Sequence, residues 1–450
     1  MTNKALRMLR SFVFQNCKEF IRNIVYILFS LETIFVLMFN IGKNKKIFFA
    51  NNMNISVYAI LASICLLLLF YKLIKNTKKQ KFCLFKNNFI FITLFSIFVL
   101  YISLSSLWSN EVTVHSIEQI KLLCGHSLLI LLIALFVFNE EARIERFLFL
   151  SFLLSLFIAL ICFTQIYNTS NAVQLWLYLG NNTVSYLGLG SVISFGTIIS
   201  IYYFSNVTQV VLKYFYMIAF LFMLFVLCFV GSRAALMGVI IPIYSVLILS
   251  IYNKSYKDKV TIHLFSYSSL FILLVLFRHT RNFIEKLVGA KMVAIERIVQ
   301  IFIRSKGGAS IIARQEYTTK TLNILHEQKS TTLIIGAGMG EWKNKIGVFC
   351  EYIASYPHNI IVEVLFVGGM IGSLLFASFC CYALYYLYKR TDKVIFSSLS
   401  GLIFMLFILN GLHVLISGTF VCSYKFYIVL LLMTVKFYNV RCGMNFSKQK

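Results

Sequence analysis

Apolar runs separated by short polar stretches follow one another along almost the whole chain. A helix needs roughly 20 apolar residues to cross a hydrocarbon core, and runs of that length are the primary signal of a spanning helix. About twelve such runs can be drawn: 23–42, 53–74, 88–107, 119–138, 147–167, 183–204, 212–231, 235–252, 260–277, 358–387, 394–413 and 420–438. The pattern predicts an all-α polytopic membrane protein of about twelve transmembrane helices with one large, partly helical loop on the outer side. It divides the chain into an N-terminal bundle of about nine helices (1–277), the large loop (278–357) and about three C-terminal helices (358–450).

Composition agrees, because 59% hydrophobic and 13% charged residues lie outside the range of soluble globular domains. The net charge of +26 would suit a nucleic-acid partner, but its distribution argues against one. With the N-terminus placed in the cytoplasm, 24 of the 42 Lys and Arg fall in or beside inside segments. The outside segments 108–118, 168–182 and 412–419 carry none, which is the positive-inside pattern. Both termini are expected in the cytoplasm, and no cleavable leader is expected. Lys43, Lys45 and Lys46 break the charge rule. Of the 11 cysteines only Cys350 falls in the large loop, so no disulfide framework is expected there, and no Cys/His spacing matches a metal site.

The segment from Arg278 to Pro357 departs from the hydrophobic rhythm, with 12 Lys/Arg, 6 Glu and no Asp. Within it "ASIIARQEYTTKTLNILHEQ" (309–328) has helical periodicity, with Ile312, Tyr317, Leu322 and Leu325 expected near one face of a helix lying along the membrane surface. "LIIGAGMGEW" (333–342) follows, an apolar run broken by alternate glycines. It lacks the Gly-Lys-Ser/Thr of a phosphate loop and reads as a tight turn or a close backbone approach to a ligand. Upstream, "CFVGSRAALMG" (228–238) sets Arg233 at the outer junction of two spans, where an arginine must snorkel or pair with an anion. Downstream, "SYPHNIIVEVLFVGGMIGSLLF" (355–376) sets a histidine at the mouth of an apolar helix.

Taken in order, the outer "GSR", the loop with "ARQEYTTKTL" and "IIGAGMGEW", and "PHN" opening the next span resemble the O-antigen ligase and polymerase family of bacterial envelope proteins. His358-Asn359 followed after nine residues by Gly369-Met370-Ile371-Gly372 is similar to the ligase pattern. The resemblance implies a glycosyltransferase of the bacterial inner membrane, with its active site facing the periplasm. Such an enzyme moves a glycan from undecaprenyl pyrophosphate to a hydroxyl of lipid A-core, without metal, nucleotide or other cofactor. By position, Arg233 and Arg314 match the family's two functional arginines, expected to bind the pyrophosphate. Guanidinium suits that task because its planar fork makes bidentate bonds to phosphate oxygens. Arg278, Arg281, Arg297 and Arg304 are weaker candidates.

His358 is the expected catalytic residue, as general base toward the acceptor hydroxyl or as a donor that orients the substrate. The positive end of the helix dipole favours the neutral ring, and free N–H groups at that helix end are available to phosphate oxygens. Asn359 and Glu363, four residues apart on one face, are possible supporting residues. Gly368 with Gly372, and Gly369 with Ser373, form small-residue faces read as helix packing. The alternatives are an O-antigen polymerase, which elongates the glycan on its carrier, and a lipid-linked oligosaccharide transporter. A transporter should line several spans with ionisable groups, and the candidates here, Glu32, Lys121, His126 and Lys425, are scattered.

Overall fold

The computed structural model describes residues 31–41, 46–48, 54–56, 63–65, 67, 85–109, 114–138, 141–168, 177–179, 182–184, 186–252, 278–288, 291–302, 309–327, 330–350, 354–389 and 398–435. In chain order its helices are α1 (Leu31–Ile41), α2 (Phe85–Leu104), α3 (Val114–Leu122), α4 (Leu129–Val137), α5 (Glu141–Asn168), α6 (Tyr186–Asn206), α7 (Val210–Val230) and α8 (Arg233–Tyr252). Then come α9 (Arg278–Val288), α10 (Val293–Phe302), α11 (Ala309–Glu327), α12 (Ser330–Ile335), α13 (Glu341–Lys345), α14 (Ile360–Tyr388), α15 (Leu399–Ile416) and α16 (Tyr424–Thr434). A π-helical stretch, Leu123–Leu128, joins α3 to α4. Two antiparallel pairs of three-residue strands, Lys46–Phe48 with Asn54–Ser56 and Leu177–Leu179 with Asn182–Val184, complete the described structure.

Seven helices among the described residues are long and apolar enough to cross a membrane: Asn88–Trp108, His115–Leu135, Ala142–Ile166, Leu187–Asn206, Val210–Val230, Ile360–Tyr388 and Leu399–Ile416. The chain is therefore read as an α-helical membrane protein. Two further expected spans appear as shorter apolar helices, Arg233–Leu249 and Tyr424–Thr434. The expected span 260–277 lies outside the described residues, as do most of 53–74 and the first part of 23–42. The expected start at 183 moves to Tyr186, because Asn182–Val184 is a strand.

The chain forms two compact units. In the first (1–81 and 136–150), Phe35 of α1 meets the rings of Phe138 and Phe147 at 5.9 and 5.5 Å. Glu32, one of the scattered ionisable residues, is buried there against Arg143 (3.8 Å) and Arg146 (3.4 Å). A buried carboxylate needs such partners, so Glu32 has a structural occupation.

The second unit (82–135 and 151–450) holds every candidate site residue. Its central helix is α6, whose apolar window is 83% buried against 39–44% for the other six spans. Small residues make that possible: Gly196 lies against Ser155, and Ser155 Oγ donates to Val192 O at 2.8 Å. α2 packs on α14 through aromatic edges, with Phe91, Phe95 and Phe98 all around Phe379 at 5.4–5.9 Å. Gly368 and Gly372 sit under Tyr101 and Ile102 of α2, so the packing role expected for that pair holds.

α11 falls where periodicity placed it, but its buried stripe differs. Ala313, Tyr317, Thr321 and Leu325, spaced by four, face inward, while Ile312 (53%) and Leu322 (47%) are exposed. Thr321 takes an inward position because its hydroxyl is satisfied, donating to Tyr317 O at 2.6 Å and accepting from Trp342 Nε1 at 2.8 Å.

Candidate functional site

The site begins with a broken helix. Gly369, at φ 61° and ψ −156°, interrupts α14 and frees the carbonyls of the turn before it. In an apolar setting each freed carbonyl needs a donor. Ala337 N donates to Phe366 O at 2.8 Å, Gly338 N donates to Val367 O at 3.1 Å, and Tyr101 Oη lies 3.0 Å from Gly368 O. The same hydroxyl is 3.0 Å from Ile335 O, so one proton serves both carbonyls. Gly336 of the glycine-rich run thus approaches the backbone of α14, and Gly369 both breaks that helix and gives the close approach expected of it, against Gly336 and Ile334. The crossing fixes the head of α14 to the loop that carries Trp342.

On that head stands His358, a non-glycine residue at φ 60°. A left-handed backbone there is costly for a residue with a Cβ and persists only where its surroundings enforce it. The ring lies between Tyr356, at 4.3 Å, and Tyr317 of α11, stacked at 5.8 Å and 26°. Tyr317 is held in turn by the edge of Trp342 at 5.8 Å. His358 also makes a hydrogen bond with the backbone of Ser417. Ser417 N already donates to His413 O at 2.9 Å, so the Ser417 carbonyl is the acceptor and the imidazole N–H the donor. Nδ1 of His358 is buried without a hydrogen-bond partner. The proton therefore belongs on Nε2, and the lone pair on Nδ1.

Burial, and then the charge of Arg314, push the imidazole down to about 4, opposed by the Ser417 hydrogen bond. The neutral ring expected from the sequence follows, from causes other than the helix dipole. Burial also pushes the Tyr356 phenol up to about 12, with Glu363 adding and Arg314 opposing. Arg314 is half-buried on α11, three residues before Tyr317, and its charge is felt at both His358 and Tyr356. Glu316, the neighbouring carboxylate on α11, is 2.7 Å from Lys320.

Asn359 is the N-cap of α14: its Oδ1 accepts from Ile361 N at 3.0 Å and Val362 N at 3.3 Å. The N–H groups expected to be free for phosphate oxygens are thus largely taken. Glu363 is buried, and its two oxygens accept from Thr419 Oγ1 (2.7 Å) and Phe420 N (3.0 Å). It fastens the turn after α15, the turn that begins with Ser417. Glu363 therefore acts on His358 through a loop and not by contact.

Arg233 opens α8 on the turn Gly231-Ser232-Arg233. Ser232 Oγ accepts from Ala235 N at 3.3 Å, and Arg297 Nη1 donates to Gly231 O at 2.8 Å, so Arg297 is committed to shaping this turn. Gly190 packs on Ser232, and Ser191 Oγ is 3.1 Å from Lys425 Nζ at the start of α16, a few residues past Ser417. Gly238 packs on Leu409, so Arg233, a turn and a half earlier on α8, is level with the Ser417 end of α15. Arg233 and His358 therefore share one end of the unit, while the charge that acts on His358 is that of Arg314.

Sequence reasoning missed Tyr317 as a wall of the site, Tyr356 as its partner, and Ser417 as the acceptor that sets the tautomer. Tyr317 stood in "ARQEYTTKTL" and Tyr356 two residues before His358, but nothing local marked either as a neighbour of the histidine. Among the described residues no three His, Cys, Asp or Glu side chains gather to hold a metal ion. No protein-family model matches the chain, and no curated protein matches it.

Proposed function

We propose that the chain is an O-antigen ligase-like glycosyltransferase. It moves a glycan from undecaprenyl pyrophosphate to a hydroxyl of lipid A-core at the periplasmic face of the inner membrane. The observation that carries the reading is His358: left-handed, neutral, with an unpartnered buried Nδ1, beside the Arg314 guanidinium. The motif order that resembles the ligases supports it.

In this reading Arg314 and Arg233 hold the diphosphate, and Nδ1 accepts the proton of the acceptor hydroxyl as its oxygen attacks the anomeric carbon. The bond from that carbon to the diphosphate oxygen breaks, and undecaprenyl pyrophosphate leaves with the electron pair on that oxygen, its negative charge stabilised by the arginines. An imidazole near 4 is a weak base, but a bound diphosphate cancels the Arg314 charge that helps to depress it. The donor thus prepares the base.

The test is incubation of the purified protein with a lipid-linked glycan and lipid A-core, without added metal or nucleotide. A lipopolysaccharide ladder is the expected product. Growth of the glycan on its original carrier would make the protein a polymerase instead. Lipid movement across the bilayer without covalent change would make it a transporter.

A further inference from the structure

Lys425 is the ionisable residue that the reading above leaves without a task. It sits in "CSYKFYIVLLLM", one residue into α16, where the positive end of the helix dipole makes a cation unfavourable. A lysine in an apolar segment is retained at a cost and is by default a functional residue. Its Nζ lies 3.1 Å from Ser191 Oγ on the central helix α6. Ser191 adjoins Gly190, which packs so closely on the Arg233 turn that a Cβ there would stand 2.8 Å from Ser232 Cβ. On its other side, the charges of Lys425 and Arg314 both reach His413. The cations Arg233, Lys425 and Arg314 therefore run across one end of the unit, with His413 between the last two and the unpartnered Nδ1 of His358 beyond. All five side chains are half-buried, neither sealed in the core nor on the open surface. The nearby carboxylate, Glu363, is held by Thr419 and Phe420.

A row of half-buried cations spanning two arginine positions fits an elongated polyanion better than a single phosphate. We propose that Lys425, held by Ser191 between the Arg233 turn and His413, is the central cation of a diphosphate-binding crevice. It would contact the oxygens between the two phosphates that Arg233 and Arg314 flank. The proposal rests on the reading of those arginines as diphosphate ligands and adds a third ligand from the last apolar helix.

The experiment measures equilibrium binding of farnesyl diphosphate to the full-length chain in phosphatidylcholine nanodiscs. A charge-assisted contact is worth about 1.5–3 kcal/mol, so Lys425→Met should weaken binding by about tenfold or more, and Lys425→Arg should restore most of it. Ser191→Ala should weaken it severalfold. Unchanged affinity in a folded Lys425→Met protein overturns the proposal; should that variant not fold, unchanged affinity in Ser191→Ala does so. Inorganic diphosphate separates the headgroup from its lipid tail, and competition at Lys425 by either diphosphate supports the crevice. Loss of binding on exchanging phosphatidylcholine for phosphatidylglycerol would mean that an ordinary anionic headgroup fills the crevice, and would also overturn it. If binding follows Lys425 but no glycan is transferred, the transferase reading falls and the crevice stands. If transfer occurs and Lys425→Met changes neither binding nor transfer, the crevice falls alone.

Discussion

The backbone of Gly336 lies directly against that of Gly369: a Cβ on Gly336 would meet Val367 O, and one on Gly369 would meet Gly336 N. Both residues have positive φ, 86° and 61°. Alanine at either position meets overpacking, worth about 1–3 kcal/mol, and a left-handed backbone, worth roughly 1–2 kcal/mol. Gly336→Ala and Gly369→Ala should each lower the unfolding temperature in detergent and abolish function. Gly411→Ala, where no atom lies within 4 Å, should leave both unchanged. Equal melting of all three variants would remove the crossing as a structural element.

How far the sequence foretold this can be judged at the same place. The apolar runs located the seven long apolar helices among the described residues, because a lipid-facing helix must be apolar along its length. The alternate glycines of 336–340 announced a close backbone approach but not what approaches, since two backbones meeting across 33 residues leave no local spacing to read. On α11 the apolar residues Ile312 and Leu322 misled, because Thr321 with a satisfied hydroxyl took the inward place. The Glu363–Thr419 contact joins residues 56 apart and was equally silent. His358 was legible because proline, histidine and asparagine together mark a helix mouth. The left-handed backbone that distinguishes it belongs to tertiary packing.

For His358 the prediction has two readouts. His358→Ala and His358→Gln should leave carrier binding nearly intact and lower turnover by roughly 10² to 10⁴, the usual scale for a lost general base. Stability supplies the second. The native imidazole titrates near 4 and the unfolded one near 6.5. Between these values the unfolded chain binds the extra proton, so stability is lost as pH falls from 6.5 toward 4. His358→Gln should flatten that part of the profile relative to wild type. Turnover by His358→Gln at the wild-type rate would reassign the residue to positioning.

Arg314 acts on the same titration from outside the ring. Arg314→Gln removes the charge that helps to depress His358, so the acid limb of the kcat/KM profile should move upward in pH. Arg314→Lys keeps the charge and loses the fork, so that limb should stay while transfer falls by about tenfold or more. Lys343→Ala, on the neighbouring helix α13, serves as the control for diffuse charge and should do neither. Identical profiles for both arginine variants would show that Arg314 does not govern the histidine.

Glu363 tests whether the loop behind the histidine matters. Its two oxygens accept from Thr419 and Phe420, and leaving such a buried donor without its acceptor costs about 1–3 kcal/mol. Glu363→Ala leaves the Phe420 N–H buried without an acceptor and frees the turn that carries Ser417. Hydrogen exchange should rise across 417–423, and the imidazole should lose the acceptor that fixes its tautomer. Turnover should fall with KM little changed, because the carrier is held elsewhere. Thr419→Val, which removes one of the two donors, should give an intermediate effect on both exchange and turnover. If Glu363→Ala raised exchange as expected but left turnover at the wild-type level, Ser417 would have no part in setting the base.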